Sequence, residues 1–274
     1  MKKIVIILIV SLAFANYAKA GFPIGQGRWL LVPTFTQYNA TGYWDENRQA
    51  NLYANNGKFR SNYFGLYGGY GIGRDVDFIF NFPYVNQVFT ENNTIIEQLQ
   101  TTADASVGLK YFLNHYDYFK HLSITGSILI PMYQAQNTQL LPGFGSPGLE
   151  VKLGLAGTNT TTLKDTYYDF EGGIRHYFNP GEPTQFFANA TLGTPIGEDW
   201  KLSGTLSGVT SSASGSNTTL NALVNRNFDY LRGTITLGRR IDRNISLNAS
   251  IFTDFLGRNI GQGSGFSIFA VIKF

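Results

Sequence analysis

The chain has 274 residues, of which 14% are charged and 15% aromatic, with 31 glycines and no cysteine. The lack of cysteine excludes a disulfide scaffold, a thiolate metal site and a lipid-anchored N-terminus, which needs a cysteine after its cleavage site. Lys2, Lys3 and Lys19 are three of the 21 basic residues, and the rest of the chain balances 18 basic against 18 acidic residues, which removes the electrostatic footprint of a nucleic-acid binder.

The first twenty positions have the three parts of a secretory signal peptide. Lys2 and Lys3 make a positive start, Ile4 to Phe14 is apolar except for Ser11, and Ala18-Lys19-Ala20 supplies small residues at −3 and −1. Such an apolar run is too short to span a bilayer as a helix. The expected division is therefore a signal peptide at 1–20 and one domain at 21–274. No later apolar run reaches eighteen residues, so no transmembrane helix is expected. A mean hydropathy of −0.09 with abundant tyrosine and phenylalanine matches a β-barrel, in which alternate residues face lipid.

Period two runs along the chain. Val76, Phe78, Phe80, Phe82 and Tyr84 alternate with Asp77 and Asn81. Ala103, Ala105, Val107, Leu109 and Tyr111 alternate with Asp104, Ser106 and Lys110, and Leu122 to Met132 with Ser123, Thr125 and Ser127. Leu149 to Leu155 repeats the pattern around Glu150 and Lys152, Leu231 to Leu237 around Arg232, Thr234 and Thr236, and Ile245 to Phe255 around Ser246, Asn248, Ser250 and Asp254. A helix would mix these residues on its surface, whereas a strand separates them. Twelve strands are predicted, at 28–39, 60–72, 76–89, 100–112, 119–133, 147–156, 166–178, 184–194, 200–210, 228–240, 245–255 and 264–274. Each is about as long as a tilted membrane-crossing strand needs to be. The weak alternation of the first two and the short sixth leave ten or fourteen strands as alternatives.

Tight turns are expected at Gly73-Arg74-Asp75 and Ile241 to Asn244, with long polar loops at Ala40–Phe59, Thr90–Leu99, Gln134–Ser146 and Ser211–Asn227. Short turns on one side and long loops on the other suit an outer-membrane barrel with both termini in the periplasm. The short connection Asn179–Pro183 goes against that alternation. A soluble β-sandwich also alternates, but two features favour the barrel. Strand ends carry aromatic residues, among them Tyr84, Phe89, Tyr111, Phe112, Tyr133, Tyr177, Phe178, Trp200, Tyr230 and Phe255, and such rings belong at membrane interfaces. The chain also finishes inside a strand, Gly265 to Phe274, and this ending resembles the assembly signal of outer-membrane barrels, with Phe274 as the recognised residue.

The glycine-rich stretches Tyr70-Gly-Ile-Gly73 and Gly261-Gln-Gly-Ser-Gly265 do not lead from a strand into a helix, so they read as turns and not as nucleotide loops. His115, His121 and His176 have no partners at metal-ligand spacing. His121 and Ser123 share a strand face and could act as base and nucleophile, but the predicted topology puts them at the periplasmic end facing the lumen. The inward faces carry six acids, Asp77, Asp104, Glu150, Asp169, Glu171 and Asp254, and seven bases, Lys110, Lys152, Arg175, Lys201, Arg232, Arg240 and Lys273. Phe187, Phe252 and Phe269 also point inward. Two readings of these residues stand open: charges pairing with one another to hold the barrel, and a transverse field that orients solutes. The phenylalanines either pack the lumen or offer a stacking surface.

The succession Phe22-Pro-Ile-Gly-Gln-Gly-Arg-Trp29, Gly57-Lys-Phe-Arg-Ser61, Tyr70-Gly-Ile-Gly-Arg-Asp75, Phe82-Pro-Tyr-Val85 and Ile130-Pro131 resembles the outer-membrane transporters named for the meta-cleavage pathway of phenol degradation. Those are similar to barrels that take up hydrophobic and aromatic compounds. The resemblance implies a channel or uptake barrel without a prosthetic group. The larger barrels of that kind plug the lumen with an N-terminal segment, and the seven or so residues before the first predicted strand here look too few for one.

The reading is a closed antiparallel transmembrane β-barrel of about twelve strands, a narrow channel for small solutes in the bacterial outer membrane, with no catalytic role and no cofactor or metal. The Ala40–Phe59 loop is a candidate to fill part of the pore. Expected partners are membrane lipids, the barrel-assembly machinery through the C-terminal strand and a small-molecule solute, with no nucleic acid. A non-transporting surface barrel is the main rival reading, and a barrel esterase acting on lipid is the third.

Overall fold

A computed structural model of the chain describes residues 22–117, 120–133, 140–159, 166–179, 181–213 and 226–274, so the predicted signal peptide lies outside the described residues. The strands, in chain order, are β1 (Trp29–Trp44), β2 (Ala50–Leu52), β3 (Lys58–Gly71), β4 (Val76–Glu91), β5 (Thr94–Thr102), β6 (Asp104–Asp117), β7 (Lys120–Pro131), β8 (Gly148–Thr158), β9 (Tyr167–Tyr177), β10 (Thr184–Pro195), β11 (Trp200–Ser212), β12 (Asp229–Arg240), β13 (Ile245–Arg258) and β14 (Ile260–Lys273). Each barrel strand pairs antiparallel with its neighbours, and β14 returns to β1 over a register from Leu30↔Lys273 to Trp44↔Ile260. That last pairing closes the sheet and leaves no open edge.

The barrel has twelve strands, because two of the fourteen add no wall of their own. β2 pairs only with the end of β1. β5 and β6 are two halves of one long strand, and both pair with β4. The register slips by one residue between Asn81↔Ser106 and Tyr84↔Thr102. The slip falls where Pro83 has no N–H to offer the ladder, and Ala103 N donates to the Pro83 carbonyl at 3.0 Å.

Two predicted connections are corrected. The expected Thr90–Leu99 loop is a hairpin whose turn is Asn92-Asn93, with φ of 46° and 62°. Both values are positive, as the tightest hairpin turns require, and asparagine tolerates this where most residues do not. The Gly261–Gly265 stretch is not a turn but the first part of β14, and the turn before it holds Asn259 at φ 52°. These glycines serve a close approach. A Cβ on Gly263 would lie 2.4 Å from the Tyr38 ring, and one on Gly265 would lie 2.0 Å from the Gln37 carbonyl oxygen and 2.6 Å from the Phe252 ring.

The alternation read from the sequence becomes two faces. Ile251 is 65% exposed while Ser250 beside it is 6% exposed. Ile128, Leu153, Ile235 and Ile268 are exposed in the same way on other strands. A continuous outer band of large apolar side chains would be unstable in water and is the natural surface against lipid. Aromatic packing continues on that band, with Phe35 between Phe64 at 5.0 Å and Phe266 at 5.9 Å.

The buried aromatic residues lie inside, toward the rim opposite the chain termini, here called the upper rim. Tyr38, Ala40, Phe59, Phe89, Leu99, Leu140 and Phe252 form one cluster, with Tyr53 packed against it. Trp44, Phe228 and Ile260 form a second, with Phe144, Val209 and Tyr230 against it. Tyr53 belongs to the loop expected to fill part of the pore. Burial pushes its hydroxyl up to about 12, so near neutral pH it packs as an uncharged ring.

Candidate functional site

The strand registers put the predicted inward residues on one face. One row runs Asp77↔Lys110↔Thr125↔Lys152↔Gly173↔Phe187 around β4 to β10. A second runs Glu171↔Asn189↔Ser207↔Arg232↔Asp254. A third runs Ser127↔Glu150↔Arg175↔Gln185, and a fourth Asp169↔Thr191↔Thr205↔Thr234↔Phe252. Lys201↔Gly238↔Asn248↔Phe269 follows nearer the lower rim, while Asp104 lies two residues from Ser106 on β6 and so on the same side. Arg240, also predicted inward, is exposed at the lower rim and pairs with Asp199 at 3.0 Å.

The charges meet across strands. Arg175 Nε donates to Glu150 Oε2 at 2.9 Å, and Arg175 Nη1 donates to Gln185 Oε1 at 3.3 Å. Lys152 Nζ lies 3.6 Å from Glu150 and 3.3 Å from Glu171. Arg232 forms a two-pronged pair with Asp254 at 2.7 and 3.0 Å, and its guanidinium lies 4.4 Å from the centre of the Phe252 ring. Glu171 and Arg175 share β9 with Asp169, yet the pairs these two form reach β8. Removing one member of such a sheltered pair typically costs about 3–5 kcal/mol, because the other charge is left without compensation.

Between the rims these side chains border a cavity of about 550 Å³. Its polar wall includes Asn81, Ser106, Glu150, Lys152 and Arg175, and its aromatic wall includes Tyr63, Tyr67, Phe144, Tyr177 and Tyr230. The size suits a small molecule. The two acids and two bases of the Glu150, Lys152, Glu171 and Arg175 network balance, leaving no net charge to attract an ion of either sign.

Sequence reasoning missed two segments that fold inward, one toward each rim. At the lower rim, Phe22 to Gly27 turn into the barrel, an inward course that the expectation of too few N-terminal residues for a plug did not include. Ile24 N donates to Asp77 Oδ2 at 2.9 Å, and Gly27 N donates to the Gly71 carbonyl at 2.8 Å. The Phe22 ring meets His121 edge-on at 4.8 Å. Gly25 and Gly27 have φ of 97° and 75°, values that favour glycine and allow the inward bend. At the upper rim, Leu140 to Ser146 fold inward, and Leu140 is 2% exposed. The only sequence signal was an unusual one: apolar Leu140, Leu141 and Phe144 within a stretch otherwise read as a polar loop.

The His121–Ser123 pair is buried on the inward face near the lower rim, with His121 also edge-on to Phe112 at 5.9 Å. It does not reach the outer band, where a lipid esterase would need it. Among the described residues, no group of three or more His, Cys, Asp or Glu is placed to hold a metal ion.

No family model and no curated protein matches the chain. Solved structures do. The COG4313 outer membrane channel from Pseudomonas putida F1 is similar with a TM-score of 0.75 at 12% identity, over 94% of this chain and 99% of that one. The NanC porin has a TM-score of 0.49 at 8% identity, over 90% of this chain and 100% of that one. The translocator domain of the autotransporter NalP from Neisseria meningitidis has 0.48 at 12%, over 91% and 89%. At these identities the first likeness shows the fold, a twelve-stranded barrel of the outer-membrane type, and the other two carry no further argument.

Proposed function

We propose that this chain is a bacterial outer-membrane channel for small uncharged solutes, with hydrophobic and aromatic compounds as its candidate class. The carrying observation is the chamber: a closed barrel with an apolar outer band encloses about 550 Å³ lined by tyrosines, amides and paired charges. Paired charges hold the wall apart without selecting an ion, and the rings of Tyr63, Tyr67 and Tyr177 offer faces for a flat solute to stack on. In this reading residues 1–20 direct export and are removed, the lower rim is periplasmic, and Asp77, Lys110, Asp169, Lys201 and Phe269 line the lower part of the path.

The inward-folded segments at both rims favour the second reading, a barrel that transports nothing. Conductance of the purified protein in a planar bilayer separates the two. The channel reading expects low conductance from the intact chain and a clear rise once Phe22–Ile24 are removed. A folded variant that stays silent after both inward segments are released rejects it. Placement is tested by fractionation: the protein should be found in the outer membrane and should shift on SDS gels with boiling, whereas recovery in the soluble periplasm would reject the location.

Phe274 N and O exchange hydrogen bonds with Trp29 at 3.1 and 2.7 Å across the seam, while its side chain is 60% exposed. An exposed ring at the end of the closing strand is available to the assembly machinery. Deleting Phe274 should lower the folded amount in the membrane far more than total synthesis, and equal folded levels would remove that role.

A further inference from the structure

We propose that Leu140–Ser146 form a door over the upper end of the chamber and that Asp104 is its latch. The inference rests on the channel reading above and adds a second, separate closure to it. The segment is held from both sides. Leu140 lies in the cluster of Tyr38, Phe59, Phe89, Leu99 and Phe252. The Phe144 ring meets Tyr177 edge-on at 4.8 Å and packs against the Trp44, Phe228 and Ile260 cluster. Ser146, 0% exposed, accepts a hydrogen bond from Asn179 Nδ2 at 2.7 Å.

Asp104 gathers these contacts. Gly145 N donates to Tyr133 Oη at 2.8 Å, and the Tyr133 hydroxyl is hydrogen-bonded to the Asp104 carboxylate. Tyr177 Oη donates to Asp104 Oδ2 at 3.4 Å. One wall residue on β6 therefore grips the segment through a tyrosine on each flank. The fit depends on a glycine: a Cβ on Gly143 would lie 2.5 Å from Asp104 Oδ2 and 2.6 Å from Tyr133 Oη.

One feature distinguishes a door from a permanent cap. The second carboxylate oxygen, Asp104 Oδ1, is buried and has no hydrogen-bond partner among the described residues. A carboxylate oxygen left in that state favours any arrangement in which water or a solute donor can reach it. Lifting the segment is such an arrangement, so closure by apolar packing is opposed at the latch itself. Because the N-terminal segment closes the other end, a solute would pass two closures in series.

The test works in the chain lacking Phe22–Ile24, so that the lower closure does not mask the upper one. The protein has no cysteine, so Ser146→Cys with Asn179→Cys creates a single pair at positions whose side chains now meet, and formation of the disulfide is checked on a non-reducing gel. Gly143→Ala is the opposite probe, a wedge of one methyl group. Folding of each variant is checked by the heat-dependent gel shift, and planar-bilayer conductance is the readout. The expected results are a several-fold rise with Gly143→Ala, and a several-fold fall on oxidising the cysteine pair that reductant reverses. Conductance unchanged by the wedge and by the redox state, in a background that conducts, overturns the door. A background that is folded but silent both by itself and with Gly143→Ala overturns the channel reading on which the door depends.

Discussion

Ile251→Arg should impair insertion of the barrel, and Ser250→Arg one residue away should insert normally. Ile251 sits in the middle of β13 on the outer band at 65% exposure, while Ser250 is 6% exposed and hydrogen-bonded to Thr236 at 2.9 Å. An arginine facing lipid at the bilayer midplane costs about 2–4 kcal/mol, whereas a charge on the lumen face is solvated and only changes selectivity. Strand propensity is the same at both positions, so only the faces can produce opposite outcomes. The measurement is the heat-shifted folded fraction in the membrane. Equal insertion of both variants would mean that the faces are misassigned. In a chain lacking Phe22–Ile24, Ser250→Arg should also move ion selectivity toward anions, because it adds a positive charge to an inner wall whose acids and bases nearly balance.

Gly71→Ala should raise conductance several-fold, while Gly73→Ala leaves it unchanged. A Cβ on Gly71 would lie 1.9 Å from the Gly25 carbonyl oxygen, whereas one on Gly73 meets nothing within 4 Å. Gly71 belongs to β3, which is held by ladders to β1 and β4 on both sides. The N-terminal segment is held by far fewer contacts, chiefly the bonds of Ile24 to Asp77 and of Gly27 to Gly71 and the packing of Phe22 on His121. The new methyl group therefore displaces the segment and not the wall. Asp77, 1% exposed, loses its Ile24 donor in that state and is left to the water of the opened mouth. Single-channel recording of the two variants decides the matter, and identical traces would show that the segment does not close the lower end.

Most of the barrel wall was legible in the sequence, with several strands longer than predicted. The predicted strands at 76–89, 184–194 and 228–240 correspond to Val76–Glu91, Thr184–Pro195 and Asp229–Arg240, and the predicted faces of β13 are the observed ones. A strand sends alternate side chains to opposite sides whatever its neighbours are, so one face must suit lipid and the other must not. The pattern is therefore written locally. Glycine was read less well, because the same residue serves a turn at Gly73 and a close approach at Gly263 and Gly265, and sequence alone does not distinguish the two. Asn92-Asn93 was absorbed into a presumed loop although its residue types suit a tight turn.

What occupies the lumen was decided only by the tertiary structure. Glu150 and Arg175 are 25 residues apart and meet because β8 and β9 set them opposite each other. Closing the barrel brings Tyr38 of β1 within 6.3 Å of Phe252 of β13, a parallel stack across β14 that the chain order hides. Phe22–Gly27 and Leu140–Ser146 carry no period, because an irregular segment buries its apolar side chains one at a time against partners that are distant in sequence. The chain by itself determined which residues face lipid, since that depends on each strand alone. Which residues close the path depended on where twelve strands bring their inward faces together, since a contact across a lumen requires both walls to exist.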